Sequence, residues 1–218
     1  MAAHVHDSLK YLVPILDSVF ISDQEYRWGM HLQPKEIQEQ MQKAIKENET
    51  KIKATDERNI KIVTEVLDRY GFLAPKDIGM KGYFALVFTM QHADKGTQRK
   101  YLPLFYNAVK QEKLIPLHYA MFADRVAVHH GAPQIYGTQI SFSKKGADIL
   151  PLLNPDSVDI WRKQVGMEPL ASYLKKFNAD WNVEDYKKKL PELRTKYKIT
   201  DTSSTFYYGP ILNQNAVR

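Results

Sequence analysis

The sequence predicts a mainly α-helical, bundle-like single domain with a small β-hairpin after Gly131. Three observations carry that expectation. Apolar residues recur at helical spacing, first through Leu9, Leu12, Leu16, Val19 and Phe20, then through Ile37, Met41, Ile45, Ile52, Ile60, Val63 and Leu67. The run from Tyr83 to Met90 is apolar almost all round, which marks a central helix. After Gly131 the pattern changes to the alternation of an extended strand, from Gln134 to Phe142. A hydrophobic fraction of 44% and a charged fraction of 26% are those of an ordinary globular chain with one core.

Taken in order, Asp7 to Leu32 reads as helical, and Pro14 should start, end or kink a helix there. Ser22 and Glu25 have the spacing of a capping box that would open a second helical piece. Asp23 and Arg27 are four apart, so they share a helix face where an ion pair is natural. Pro34 to Tyr70 reads as two helices or one bent one, because the apolar series thins between Asn48 and Asn59. Gly71 offers a left-handed cap at its end. Lys81 to Ala93 is expected as a buried helix that Gly96 breaks. Thr97 to Lys113 is amphipathic, with the regular helix starting near Pro103, and Pro116 opens a third helix that ends before Gly131. A hairpin over about 134–152 would turn at Lys144-Lys145-Gly146. Helices over Ser157–Val165, Pro169–Phe177 and Val183–Lys198 complete a domain covering 1–200, with 201–218 a loosely attached polar tail.

The chain has no cysteine, which excludes disulfides, thiolate catalysis and cysteine-ligated metals. The net charge of +6 is dispersed, and its densest clusters, Lys175-Lys176 and Lys187-Lys188-Lys189, read as solvated helix faces. No recognised nucleic-acid motif accompanies them, so no nucleic-acid partner is expected. No apolar run reaches the roughly 18–20 residues that span a bilayer, so no membrane partner is expected either. The N-terminus lacks a basic region followed by an apolar core, so it is not an intact signal peptide. The cytoplasm is the nearer reading of compartment, with export after signal removal the alternative.

Four polar signatures interrupt apolar surroundings: Gln91-His92-Ala93-Asp94, Gln98-x-x-Tyr101-Leu102, Asp124-Arg125-Val126 and Pro133-Gln134-x-Tyr136-Gly137-Thr138-Gln139. Such interruptions are costly unless paired, so they mark a buried network or a site. His92, one turn after Phe88, should be largely desolvated and neutral, and a neutral imidazole beside an acid can act as a general base. Asp94 is only two residues away and does not face it on a regular helix; capping the next helix is its other use. Asp124 and Arg125, adjacent in an apolar helix, would cost several kcal/mol if buried unpaired. One reading has Asp124 orient His92 and Arg125 clamp a carboxylate or phosphate; the other has a buried ion network locking the helices. On a strand, Gln134, Tyr136 and Thr138 share one face and Gln139 takes the other, as a ligand-facing wall or an ordinary hairpin edge. Asp56 and Asn59, three apart, suit a site wall, a helix cap or a bond across a bundle. His118, Asp124 and His129-His130 match no zinc spacing, and no cofactor or metal is expected.

At these residues the chain resembles a bacterial domain family of unknown function. The shared pattern is Asp23-Gln24-x-x-Arg27, Asp56-x-x-Asn59, Gln91 to Asp94, Asp124 to Val126 and Pro133 to Gln139, with a later Asp156-x-Val158-Asp159-x-x-Arg162. His129-His130 lie outside it. The resemblance covers about residues 8–175 and implies that these motifs belong together, without naming a reaction.

The expected function is a metal-independent acid–base enzyme, a hydrolase or group transferase, acting on a small polar or anionic compound. His92, Asp124 and Arg125 would be its catalytic residues, and Gln91, Gln134, Tyr136, Thr138, Gln139 and Arg27 its ligand contacts. Asp23, Gln24, Asp56, Asn59 and Asp94 would support them. The competing class is a non-catalytic binding or immunity protein with an internally satisfied polar network, and a metal enzyme is the third alternative.

Overall fold

The computed structural model describes residues 7–27, 35–143 and 146–201. The described residues form nine α-helices, a short 3-10 turn and one two-stranded antiparallel sheet, the mainly helical class that the apolar spacing predicts. Among them no helix is long and apolar enough to cross a membrane. The chain divides into two compact units, Met1–Gln98 and Arg99–Arg218.

The first unit contains α1 (Leu12–Gln24), α2 (Lys35–Glu47), α3 (Glu49–Tyr70), α4 (Pro75–His92) and the first residues of α5 (Lys95–Lys110). Pro14 lies in the first turn of α1, where a missing N–H costs no helical bond. Ser22 does not open a new helix. It sits inside α1, and its hydroxyl donates to Val19 O at 3.1 Å and to Asn59 Oδ1 at 3.3 Å, so the expected capping box does not form. The expected break in the second helical stretch falls at Asn48. Gly71, with φ of 68°, ends α3 and donates its N–H to Leu67 O.

α4 begins earlier than its apolar run suggests. Gly79 adopts φ 76° and ψ 169°, so a first turn opened by Pro75 is set off from the long segment that follows. That segment buries Tyr83, Ala85, Leu86, Val87 and Met90. α4 packs most extensively on α1, and α3 contacts both. Phe84 and Phe88 stack on each other at 5.2 Å, and Phe20 packs against both, its ring centre 6.0 and 6.5 Å from theirs. Gly96 does not break the chain; the interruption is at Ala93-Asp94, and Asp94 accepts from the N–H groups of Gly96 and Thr97 at 2.9 and 3.1 Å. These bonds and one from the Thr97 hydroxyl hold its carboxyl below the usual range, the hydroxyl most strongly.

The second unit continues α5, in which Pro103 lies inside the helix rather than at its start. It adds α6 (Pro116–His129), β1 (Ile140–Ser143), β2 (Gly146–Ile149), α7 (Val158–Gln164), α8 (Leu170–Lys175) and α9 (Val183–Lys196). β1 and β2 pair with Ile140 opposite Ile149 and Ser143 opposite Gly146. The hairpin is shorter than expected, because Gln134 to Gln139 form a loop whose only strand-like contact among the described residues is an isolated bridge from Gln134 to Leu152. The expected turn residues Lys144 and Lys145 lie outside the described residues, as does the tail from 202. Thr200 and Asp201, just before it, both donate N–H to Gly131 O at 3.0 Å. Ile149, Leu152, Leu170, Leu174, Tyr186 and Leu193 form one apolar cluster of this unit, and Ala120, Ile135, Tyr136 and Val165 another.

Candidate functional site

The polar signatures fall into two groups, one in each unit. In the first, α1, α3 and α4 bring together Asp23, Gln24, Arg27, Asp56 and His92. Helical spacing puts Asp23 on the same side of α1 as Phe20, so the stacked phenyl rings carry the carboxylate to α4, where His92 follows Phe88 by one turn. His92 Nδ1 lies 2.8 Å from Asp23 Oδ1. Asp23 is 1% exposed, and its other oxygen accepts from Gln24 Nε2 at 2.5 Å.

A carboxylate only accepts, so in the neutral ring Nδ1 carries the proton and Nε2 the lone pair. Nε2 has no hydrogen-bond partner among the described residues, and the ring keeps 24% exposure. Arg27 closes the group. Its Nη1 and Nη2 donate to the two oxygens of Asp56 at 2.9 and 2.7 Å, and Nη1 also donates to Asp23 O at 2.9 Å. The fork that was expected to contact a ligand is therefore spent on Asp56. Asn59, fully buried, donates to Ser22 Oγ at 3.0 Å and ties α3 to α1 beside the charged group.

Gln91 is also buried, and its main-chain oxygen accepts from the buried Gln98 amide at 3.0 Å. Asp94 serves as the cap of α5, not as a partner of His92. Among the described residues, Asp23, Asp56 and His92 each bring one potential metal-ligating atom within 4.8 Å of the other two. Spacing along the chain gave no sign of this, because each residue comes from a different helix.

In the second unit Asp124 has a different task from the one expected. Its carboxylate accepts from the N–H groups of Ile135 (2.8 Å), Tyr136 (3.1 Å) and Thr138 (3.0 Å), and from the Thr138 hydroxyl (2.9 Å). The carboxylate beside His92 Nδ1 is Asp23, so Asp124 is not the orienter of that ring. Its own carboxyl is pushed up to about 6 by burial, against the pull of these donors.

The loop that Asp124 gathers cannot be a strand, since its amides point to one carboxylate. Gln134 completes it: Nε2 donates to Gln139 O and Leu150 O, and Oε1 accepts from Gln139 N. Gln134 and Tyr136 are fully buried. Thr138 and Gln139 are partly exposed. Arg125 is partly buried, and burial lowers its guanidinium pKa. Arg162 was quoted in the sequence motif without a role. Its Nη1 donates to Tyr136 O at 2.7 Å and its Nε to Glu168 O at 2.7 Å, and the side chain is 2% exposed. Tyr186 had no signal in the sequence. Its hydroxyl accepts from Leu152 N and donates to Leu150 O, in the segment that Gln134 also contacts.

A model of a family of unknown function, DUF6624, matches residues 29–185. The chain belongs to that family. The match takes in Asp56, His92, Asp124, Gln134 and Arg162, whereas Asp23 and Arg27 lie before its start. No curated protein and no solved structure matches the chain.

Proposed function

We propose that this DUF6624 protein is an acid–base enzyme, a hydrolase or group transferase acting on a small polar compound, with His92 as its proton-transfer group. The observation that carries the reading is the pairing of Nδ1 with a buried carboxylate while Nε2 stays unpartnered among the described residues. Asp23 fixes the ring and its tautomer and stabilises the imidazolium once Nε2 has taken a proton from water or a substrate hydroxyl. Gln24 holds the second oxygen of Asp23, and Arg27 joins Asp23 to Asp56.

The competing reading, a non-catalytic binding protein, draws on the second unit, where Asp124, Gln134 and Arg162 bond main-chain groups of the 134–139 loop and of Leu150 and Glu168.

Two measurements test the enzyme reading. Nitrogen-15 NMR of the imidazole should find neutral His92 protonated on Nδ1; the Nε2-protonated form would overturn the assignment. A panel of esters, amides, phosphoesters and glycosides should include a compound turned over by the wild type and slowed about 10²–10⁴-fold by His92→Ala. A folded His92→Ala with full turnover would also overturn it.

A further inference from the structure

Proton transfer through His92 leaves the carboxylate of Asp56 without a chemical task. We propose that Asp23, Asp56 and His92 form a binding site for one divalent transition-metal ion of the manganese, iron, cobalt or zinc class. The inference rests on the acid–base reading only for the location of the site.

The three side chains come from α1, α3 and α4, and their ligand atoms lie within 4.8 Å of one another. Helical bundles build metal sites in this way, from inward-facing side chains on different helices. Two carboxylates and an imidazole suit these ions better than calcium or magnesium, which prefer oxygen alone. Three protein ligands also leave positions open for water or substrate. Two donors about 2.1 Å from one ion and at right angles to each other stand about 3 Å apart. His92 Nδ1 and Asp23 Oδ1 are 2.8 Å apart. The second oxygen of Asp23 is held by Gln24, the kind of outer hydrogen bond that orients a ligating carboxylate.

Charge points the same way. Two carboxylates face one guanidinium, so with a neutral imidazole the group carries one net negative charge. Arg27 now supplies the positive partner, 2.7 Å from Asp56 and 3.8 Å from Asp23. Its side chain keeps 25% exposure, so it can turn to solvent while an oxygen of Asp56 turns to the ion. On His92, the ion replaces the Nδ1 proton.

The test titrates chelator-stripped full-length protein with Mn2+, Co2+ and Zn2+ by calorimetry, and follows the visible absorption of Co2+. The expected result is one ion per chain, with affinity at least tenfold weaker in Asp56→Asn and His92→Gln and about 10–100-fold weaker in Gln24→Ala. In Co2+-loaded wild type the His92 ring protons should shift paramagnetically, a readout that does not depend on any variant folding. No binding at millimolar ion, unchanged affinity in Asp56→Asn and His92→Gln, or unshifted His92 protons would each overturn the site. The acid–base reading is judged on stripped protein, by tautomer and turnover, so the two failures are told apart.

Discussion

Asp124→Ala takes the acceptor from four donors at once: the N–H groups of Ile135, Tyr136 and Thr138, and the Thr138 hydroxyl. The hydroxyl can rotate to another acceptor, but the three main-chain groups cannot. Each buried donor left without a partner costs about 1–3 kcal/mol, so the three together cost about 6 kcal/mol at mid-range. One effect opposes this. Burial raises the Asp124 carboxyl to about 6, whereas an unfolded chain holds such a group near about 3.9. Keeping it ionised at pH 7 costs about 3 kcal/mol, which alanine removes. The net loss expected is about 3 kcal/mol, a large share of the stability of a small domain.

The raised carboxyl also fixes a sign. Between pH about 4 and about 6 the native protein holds a proton that the unfolded chain has released. The contribution of Asp124 to stability is therefore fully present below about 4 and is lost as pH rises through about 6. Urea unfolding from pH 4 to 8, with hydrogen exchange at the amides of 135, 136 and 138, reads both effects. Asp124→Asn should remove the falling contribution of this carboxyl to the slope in this window and speed exchange at those amides. An Asp124→Ala variant within about 1 kcal/mol of wild type, or an asparagine variant that keeps the full slope, would refute the reasoning.

Two further substitutions probe the frame around the candidate site. Asp94→Ala should cost about 0.5–2 kcal/mol, because α5 loses its cap, and thermal unfolding will show it as a lowered midpoint. Gly137→Ala should cost about 1–3 kcal/mol in urea, because φ there is 67° and the added Cβ would stand 3.2 Å from Leu170 Cδ1.

Helices were the most legible part of the chain. The apolar series around Leu16 and Val63 and the all-round apolar run at Tyr83 set α1, α3 and α4, because helix faces repeat locally. Asn48 and Gly71 ended elements near where composition thinned. The strand over Gln134–Gln139 was misleading for a physical reason. Alternation reports which side chains face inward, and it says nothing about where main-chain N–H groups go. Those groups went to a carboxylate ten or more residues earlier in the chain.

The site followed the same rule. The Asp23–Arg27 pair was legible because it lies within one helical turn, and the two groups stand 3.8 Å apart. The contacts of His92 with Asp23 and of Arg27 with Asp56 join different helices, a relation that spacing within one helix cannot encode. Asp124 looked like the acid for His92 because it was the most apolar-flanked carboxylate. Asp23 took that place because α1 packs against α4 through Phe20, Phe84 and Phe88.

The bond set of Asp124 also constrains chain length. Its carboxylate reaches N–H groups from Ile135 to Thr138, so the segment from the end of α6 to that loop acts as a gauge with one permitted span. Inserting or deleting one residue between Gly131 and Pro133 would present the wrong amides to the carboxylate and would pull Gln134 off Leu150. Relatives with the same architecture should therefore hold constant the count from this aspartate to the threonine.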